Sequence, residues 1–179
     1  MAERATVARI TGVRFSPSAL LRSERRQSVS VSALEQSENQ KEKKMKILFV
    51  CKYNRFRSQV ADAYFRKINK NKKIKSYSAG IIMSGPIAKS VKQIGKKLGL
   101  KISGKPKGIN EKLLKDIDLL VVVADNVSAS MFKTRVKRVL KWDIPDTSQE
   151  DLQSIERISK TIIKRVDVLV KSLEKRKWN

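Results

Sequence analysis

Apolar residues in this chain fall into two patterns, short continuous runs and positions spaced three or four apart. The continuous run 47–50 and the segment 117–123, which is apolar except at Asp118, are typical of strands that are buried on both faces of a sheet. Val60, Tyr64 and Ile68 are spaced to share one face of a helix. Such alternation of strands and helices predicts an α/β domain with a parallel sheet and right-handed crossovers.

The same patterns continue along the chain. Two further strands are predicted at 75–79 and 136–142, and helices at 87–98, 110–114 and from 152 to 173. Ligands of parallel sheets bind beyond the carboxyl ends of the strands. Side chains that follow different strands are therefore expected to meet at one edge.

The junction between the first strand and the first helix carries the candidate chemistry. Its sequence is Cys-x5-Arg-Ser, with Cys51 as the single cysteine of the chain and Ser58 as the expected helix N-cap. Loop amides and the positive helix end favour an anion there. A thiolate can act as a nucleophile, and the Arg57 guanidinium can clamp two phosphoryl oxygens. A buried structural cysteine remains the alternative, because Cys-x5-Arg alone is a weak motif.

This loop resembles that of the low-molecular-weight protein tyrosine phosphatases and the related arsenate reductases. The family pattern Cys-x-x-Asn-x-x-Arg-Ser is matched by Cys51, Asn54, Arg57 and Ser58. The resemblance covers residues 45–179 as one domain and includes the segments 78–80, 118–123 and 142–146. It implies an α/β three-layer sandwich, in which helices flank a four-stranded parallel sheet, and an enzyme without a cofactor or metal.

The resemblance also implies roles for individual residues. Cys51 would be the nucleophile and Arg57 the group that stabilises the transition state. The rest of the loop would bind the phosphoryl group: Lys52, Tyr53, Asn54, Arg55, Phe56 and Ser58. Ser78 lies where the family has a serine that supports the loop asparagine.

A carboxyl group is needed to protonate the leaving oxygen and then to activate water. Asp146 occupies the place of the family's Asp-Pro general acid, although Thr147 follows it here. Asp143 is the alternative acid, or a residue that caps a turn. Trp142 is expected to belong to the core.

Several positions depart from the family pattern. Phe56 replaces the usual second cysteine, so the vicinal disulfide of the family cannot form. Residues 147–149 replace the aromatic residues that flank a phosphotyrosine ring. The pair Ser58-Gln59 resembles the Ser-Gln of the arsenate reductases. Tyr53 and Phe56 are open candidates for an aromatic wall or for simple packing.

The resemblance therefore predicts a cysteine-dependent phosphomonoester hydrolase, a protein tyrosine phosphatase first, which works through a phosphocysteine. Its partner would be a phosphorylated protein or a small phosphomonoester. An arsenate reductase that uses an external thiol is the alternative. A basic anion-binding protein without catalysis is the third interpretation.

Composition narrows the cellular setting. A single cysteine and no histidine argue against a disulfide or a structural zinc site and favour a reducing, cytoplasmic location. No apolar run approaches the roughly 20 residues that span a bilayer. The net charge of +24 is expected to reflect a solvated, lysine-rich surface, with steering of anionic substrates and contact with nucleic acid as the alternatives. Nucleic acid is not an expected partner, because no binding motif is present. The oligomeric state is not indicated.

Residues 1–44 differ from the rest in being rich in arginine and serine and poor in large apolar residues. A disordered tail and an organellar transit peptide are two interpretations. The third is a start codon assigned too early, because residues 12–15 can be encoded by DNA that contains the T-loop signature of a transfer RNA gene. Met45 directly precedes the first predicted strand.

Overall fold

The computed structural model describes residues 44–102 and 104–175. The expectations for the N-terminal extension lie, apart from Lys44, outside the described residues. The strands are β1 (Met45–Cys51), β2 (Ile74–Gly80), β3 (Leu119–Val123) and β4 (Val139–Trp142). The helices are α1 (Arg57–Ile68), α2 (Lys89–Lys97), α3 (Glu111–Lys115), a 3₁₀ helix (Ala129–Phe132) and α4 (Leu152–Lys175).

The four strands form one parallel sheet, as predicted, and their order in it is β2-β1-β3-β4. The register pairs Cys51 with Gly80 at the end of β1, and Val123 with Trp142 at the end of β3. Because β1 and β3 are neighbours at the centre, the loops that follow them emerge side by side. This edge holds the candidate site.

Alternate residues of the central strands pack into two separate cores. Ile47, Phe49 and Val121 face the core formed with α1, α2 and α4, while Leu48 and Val122 face α3 and the 3₁₀ helix. The predicted three-layer sandwich is therefore confirmed. Trp142 belongs to the first core, with its ring centroid 6.0 Å from that of Phe49.

Two predicted strands begin later than the apolar runs suggested. Ile117 donates its N–H to Leu114 O at 3.2 Å, which closes the end of α3, and β3 begins at Leu119. Val136 donates to Phe132 O at 2.9 Å in the turn after the 3₁₀ helix. Ile117 and Val136 are apolar because they are buried in turns, and in the sequence they cannot be distinguished from the first residues of a strand.

None of the helices in the described ranges combines the length and the apolar character that crossing a membrane requires.

Candidate active site

The loop between β1 and α1 is shaped by one unusual backbone residue and one glycine. Asn54 has a φ of 52°, a left-handed conformation that asparagine tolerates better than most residues. A Cβ atom on Gly80 would lie 2.7 Å from Asn54 N and from Tyr53 C. Glycine is thus required at the end of β2, because the loop backbone packs directly against it.

A chain of hydrogen bonds leads from the scaffold to the thiol. Gln59 Nε2 and Lys107 N donate to Asn54 Oδ1 at 3.1 and 2.8 Å, which fixes the orientation of the amide. Asn54 Nδ2 then donates to Ser58 Oγ at 2.9 Å. Since that oxygen accepts from Asn54, its own hydrogen is free to point at Cys51 Sγ, 3.0 Å away.

The structure corrects the expected role of Ser58 in the helix. Helix α1 begins at Arg57, and its N-cap residue is Phe56, which makes no side-chain capping bond. Ser58 is fully buried, and its hydroxyl faces the thiol instead of the helix amides. A serine at this point serves the cysteine, so the capping prediction was wrong.

The Asn54 side chain has three partners among the described residues, and Ser78 is not one of them. The hydroxyl of Ser78 interacts instead with the buried carboxyl of Asp62. Burial raises the pKa of Asp62, while hydrogen bonds from Ser76 and Ser78 and the charge of Arg66 act to lower it. Ser78 therefore contacts α1 and not the asparagine of the loop.

Arg57 is only 2% exposed and is held by four acceptors. Its Nη1 donates to Ile144 O at 2.7 Å and to Asp125 Oδ1 at 3.1 Å. Its Nη2 donates to Asp146 Oδ2 at 2.7 Å and to Asn126 Oδ1 at 3.3 Å. The guanidinium thus joins the loop after β1 to the segments that follow β3 and β4.

The two candidate carboxylates lie in different surroundings. Asp146 lines the cavity that contains Cys51 and forms an ion pair with Arg57. Asp143 is exposed and forms an ion pair with Lys141, at 2.9 Å between Nζ and Oδ1. Of the two, Asp146 is the one that the fold brings beside the thiol.

The cavity has a volume of about 250 Å³, enough for a phosphoryl group and part of its leaving group. It is lined by Cys51, Tyr53, Arg55, Phe56, Arg57, Asp146, Thr147 and Gln149. Phe56 is also part of the core, whereas Tyr53 is half-buried and stacks beneath Lys52 Nζ at 5.0 Å. Tyr53 is accordingly the aromatic side chain that is available to a ligand.

The sequence analysis assigned no contact in the site to four residues, although it noted Gln59 beside Ser58. Asp125 and Asn126 bind Arg57, and Gln59 and the backbone of Lys107 hold Asn54. Asp125 follows the carboxyl end of β3, so the rule that places ligands at strand ends could have identified it. The contact of Lys107 depends on tertiary folding and carries no local signal.

The site and the sheet define a class of protein with a Cys-x5-Arg anion loop at the edge of a parallel sheet. A family model described as "Low molecular weight phosphotyrosine protein phosphatase" matches residues 46–179. The chain therefore belongs to the low molecular weight phosphotyrosine protein phosphatase family, a family of hydrolases.

Solved structures agree with this assignment. An arsenate reductase from Archaeoglobus fulgidus DSM 4304 is 33% identical, with a TM-score of 0.62, over 70% of this chain and 98% of that chain. A low molecular weight protein tyrosine phosphatase from T. tengcongensis is 23% identical, with a TM-score of 0.63, over 72% and 99%. A mutant of YwlE from Bacillus subtilis is 21% identical, with a TM-score of 0.65, over 73% and 99%. At these lower identities the last two show a shared fold.

Proposed function

We propose that this protein is a cytoplasmic, cysteine-dependent phosphatase that hydrolyses phosphomonoesters, with phosphotyrosine as the first substrate to test. The observation that carries the proposal is the cavity in which the single thiol, Arg57 and Asp146 come together. Membership of the phosphatase family supports it.

The proposed reaction has two steps. The thiolate of Cys51 attacks phosphorus, and the bond from phosphorus to the leaving oxygen breaks as Asp146 donates a proton to that oxygen. Water then attacks the phosphocysteine, Asp146 takes the proton from that water, and the sulfur leaves as a thiolate with release of inorganic phosphate. In both steps Arg57 would stabilise the charge on the equatorial oxygens.

The hydrogen bonds around the thiol support its role as nucleophile and leaving group. A hydroxyl that donates to sulfur stabilises the negative charge on it. Ser58 is placed to do this, and Asn54 holds the hydroxyl in position. The same donor would help the sulfur to leave in the second step.

Reduction of arsenate is the second candidate function. It is favoured by the 33% identity to an arsenate reductase and by Gln59, which holds the loop asparagine. Because the chain has one cysteine, no disulfide can pass between thiols of the same chain. An external thiol would have to attack the sulfur of the Cys51–arsenate adduct. The sulfur–arsenic bond would break, arsenic would leave as arsenite with the electron pair, and the mixed disulfide formed on Cys51 would be reduced by a second external thiol.

The test is hydrolysis of para-nitrophenyl phosphate by the wild type and by Cys51→Ser. We expect turnover by the wild type, competitive inhibition by phosphate and vanadate, and a phosphorylated Cys51 peptide after an acid quench. Cys51→Ser should retain anion binding and lose turnover. Wild-type rates in Cys51→Ser would exclude the thiol as nucleophile.

A parallel assay separates the two enzymes. Arsenate is incubated with the protein, glutathione and glutaredoxin, and arsenite is measured. If arsenite forms and the ester is not hydrolysed, the protein is an arsenate reductase and the phosphatase proposal is wrong. If the protein binds anions and shows neither activity, both enzyme proposals are wrong and the protein is a non-catalytic anion-binding protein.

A further inference from the structure

Arg55 is a second arginine in the active-site loop, and it forms no ion pair with any of the residues that the structure describes. Its Nη1 donates to Ser84 Oγ at 3.1 Å and its Nη2 to Gln149 Oε1 at 2.6 Å. Its Nε is buried and has no hydrogen-bond partner among the described residues. Both partners are neutral, whereas Arg57 pairs with two carboxylates. A partly buried guanidinium of this kind is stabilised when an anion is supplied.

Arg55 also connects two depressions of the surface. It lines the 250 Å³ cavity that contains Cys51 and a larger groove of about 730 Å³. We name the second one the flank groove; it runs between the start of α2 and the segment before α4. Its lining includes Arg55, Lys89, Ser90, Gln93, Ser148 and Gln149.

The walls of the flank groove are polar and more basic than acidic. Arg55 and Lys89 carry positive charges, and Glu150 is the acidic residue of the lining. Gln149 is fixed between the two sides, because Ser90 Oγ donates to its carbonyl and Arg55 donates to its side chain. A compact phosphomonoester in the smaller cavity would not reach this groove, so a ligand that fills both must extend beyond the phosphorylated group.

We propose that the flank groove binds the residues next to a phosphorylated residue of a peptide, and that Arg55 and Lys89 select acidic side chains there. This inference rests on the proposed function, since it assigns the substrate class of the same site. The net charge of +24 attracts any acidic partner over a distance. Selection for acids at particular positions requires the local pair of cations.

The test compares three synthetic phosphotyrosine peptides. The first peptide carries four glutamates, at the two positions before and the two positions after phosphotyrosine. The second carries glutamines at these four positions. The third carries the four glutamates about ten positions away from phosphotyrosine. Fluorescence anisotropy with the Cys51→Ser protein gives each Kd without turnover. We expect the first peptide to bind about fivefold tighter than either other one, the ratio expected when two partly exposed ion pairs form.

Two charge reversals on the same helix provide the matched comparison. Lys89→Glu should remove most of the selectivity, because it places a carboxylate in the groove. Lys92→Glu changes the net charge equally, lies outside the groove lining, and should leave the Kd ratio unchanged. Arg55→Gln, combined with Cys51→Ser, should also bring the ratio towards one.

The outcomes separate this inference from the proposed function. Equal affinities for the three peptides, equal effects of Lys89→Glu and Lys92→Glu, or no binding of any peptide would each overturn the flank-groove inference. Selective binding together with no hydrolysis of para-nitrophenyl phosphate by the wild type would instead overturn the phosphatase proposal. If Arg55→Gln weakens binding of all three peptides and of inorganic phosphate by the same factor, Arg55 serves the phosphoryl group and the inference is wrong.

Discussion

Arg57 Nη2 lies 2.7 Å from Asp146 Oδ2, so the proposed transition-state stabiliser is ion-paired with the proposed acid. A carboxylate in this pair cannot donate a proton, and the guanidinium cannot bind a phosphoryl group with the same N–H. The Asp146 side chain is 42% exposed, so water reaches the carboxylate side of the pair, and Arg57 keeps Asp125 as a second carboxylate partner. An incoming phosphoryl group can therefore replace Asp146 as the partner of Arg57 and leave the carboxyl free to carry a proton.

Substitution of the acid tests this exchange. Asp146→Asn should lower kcat by roughly 10²–10⁴-fold, the usual range for general acid catalysis. The loss should be smallest for aryl phosphates with very acidic phenols, since these leaving groups need little protonation. Steady-state rates with a series of aryl and alkyl phosphates give this dependence.

Asp143→Asn is the matched control for the acid. Its carboxylate pairs with Lys141 outside the cavity, so its removal should leave the dependence on the leaving group unchanged. The assignment of the two carboxylates would be reversed if only Asp143→Asn showed that dependence.

Arg57→Lys keeps the positive charge and loses the planar fork. An ammonium cannot hold two equatorial oxygens in bidentate geometry, and it cannot reach the four acceptors that Arg57 contacts. We expect kcat/KM to fall by roughly 10²–10³-fold, as when a preorganised donor is removed from an active site. Kinetics with para-nitrophenyl phosphate measure the loss, and a thermal melt verifies folding. A change below threefold in a folded variant would contradict the clamp.

Two serine substitutions compare the hydroxyl of Ser58, which contacts the thiol, with the hydroxyl of Ser78, which contacts helix α1. Ser58→Ala removes the donor 3.0 Å from Cys51 Sγ and should slow both turnover and alkylation of Cys51 by iodoacetamide, by roughly tenfold. Ser78→Ala removes a contact with Asp62 and should leave alkylation nearly unchanged. If Ser78→Ala slowed alkylation more than Ser58→Ala did, Ser78 would be the residue that supports the loop.

A pH experiment tests a contact far from the site. Hydrogen bonds from Lys160 and Lys97 lower the pKa of Glu156 to about 2 in the folded protein. A carboxyl whose pKa is lower in the folded state stabilises the fold above its unfolded value, ordinarily 4.5 here. That contribution disappears as the pH falls from there towards 2.

The variant Glu156→Gln should accordingly melt at a lower temperature than the wild type at pH 7. The difference should shrink as the pH falls below about 4.5 and nearly vanish near pH 2. High salt should also reduce it, because the two lysine partners are exposed to solvent. Glu174→Gln removes the same charge from α4 at a side chain that forms no ion pair with the described residues, and it should show no such pH dependence. A pH-independent difference for Glu156→Gln would contradict the ion-pair explanation.

The sequence by itself determined the elements and the loop. Apolar runs and helical spacing specify β1, β3 and α1, because burial of a strand or of a helix face depends on neighbours within one segment. Cys51, Asn54, Arg57 and Ser58 lie in one such segment, so their proximity follows from local geometry. The run 136–142 was assigned too long, because a buried turn and a strand have the same apolar character.

The tertiary structure decided which distant groups meet the loop. The sequence left Asp143 and Asp146 as alternatives, and only the path of the chain after β4 places Asp146 on Arg57. The neighbouring positions of β1 and β3 bring Asp125 to the same guanidinium. Such contacts depend on strand order and on the direction of each turn, and no pattern of spacing along the chain records either.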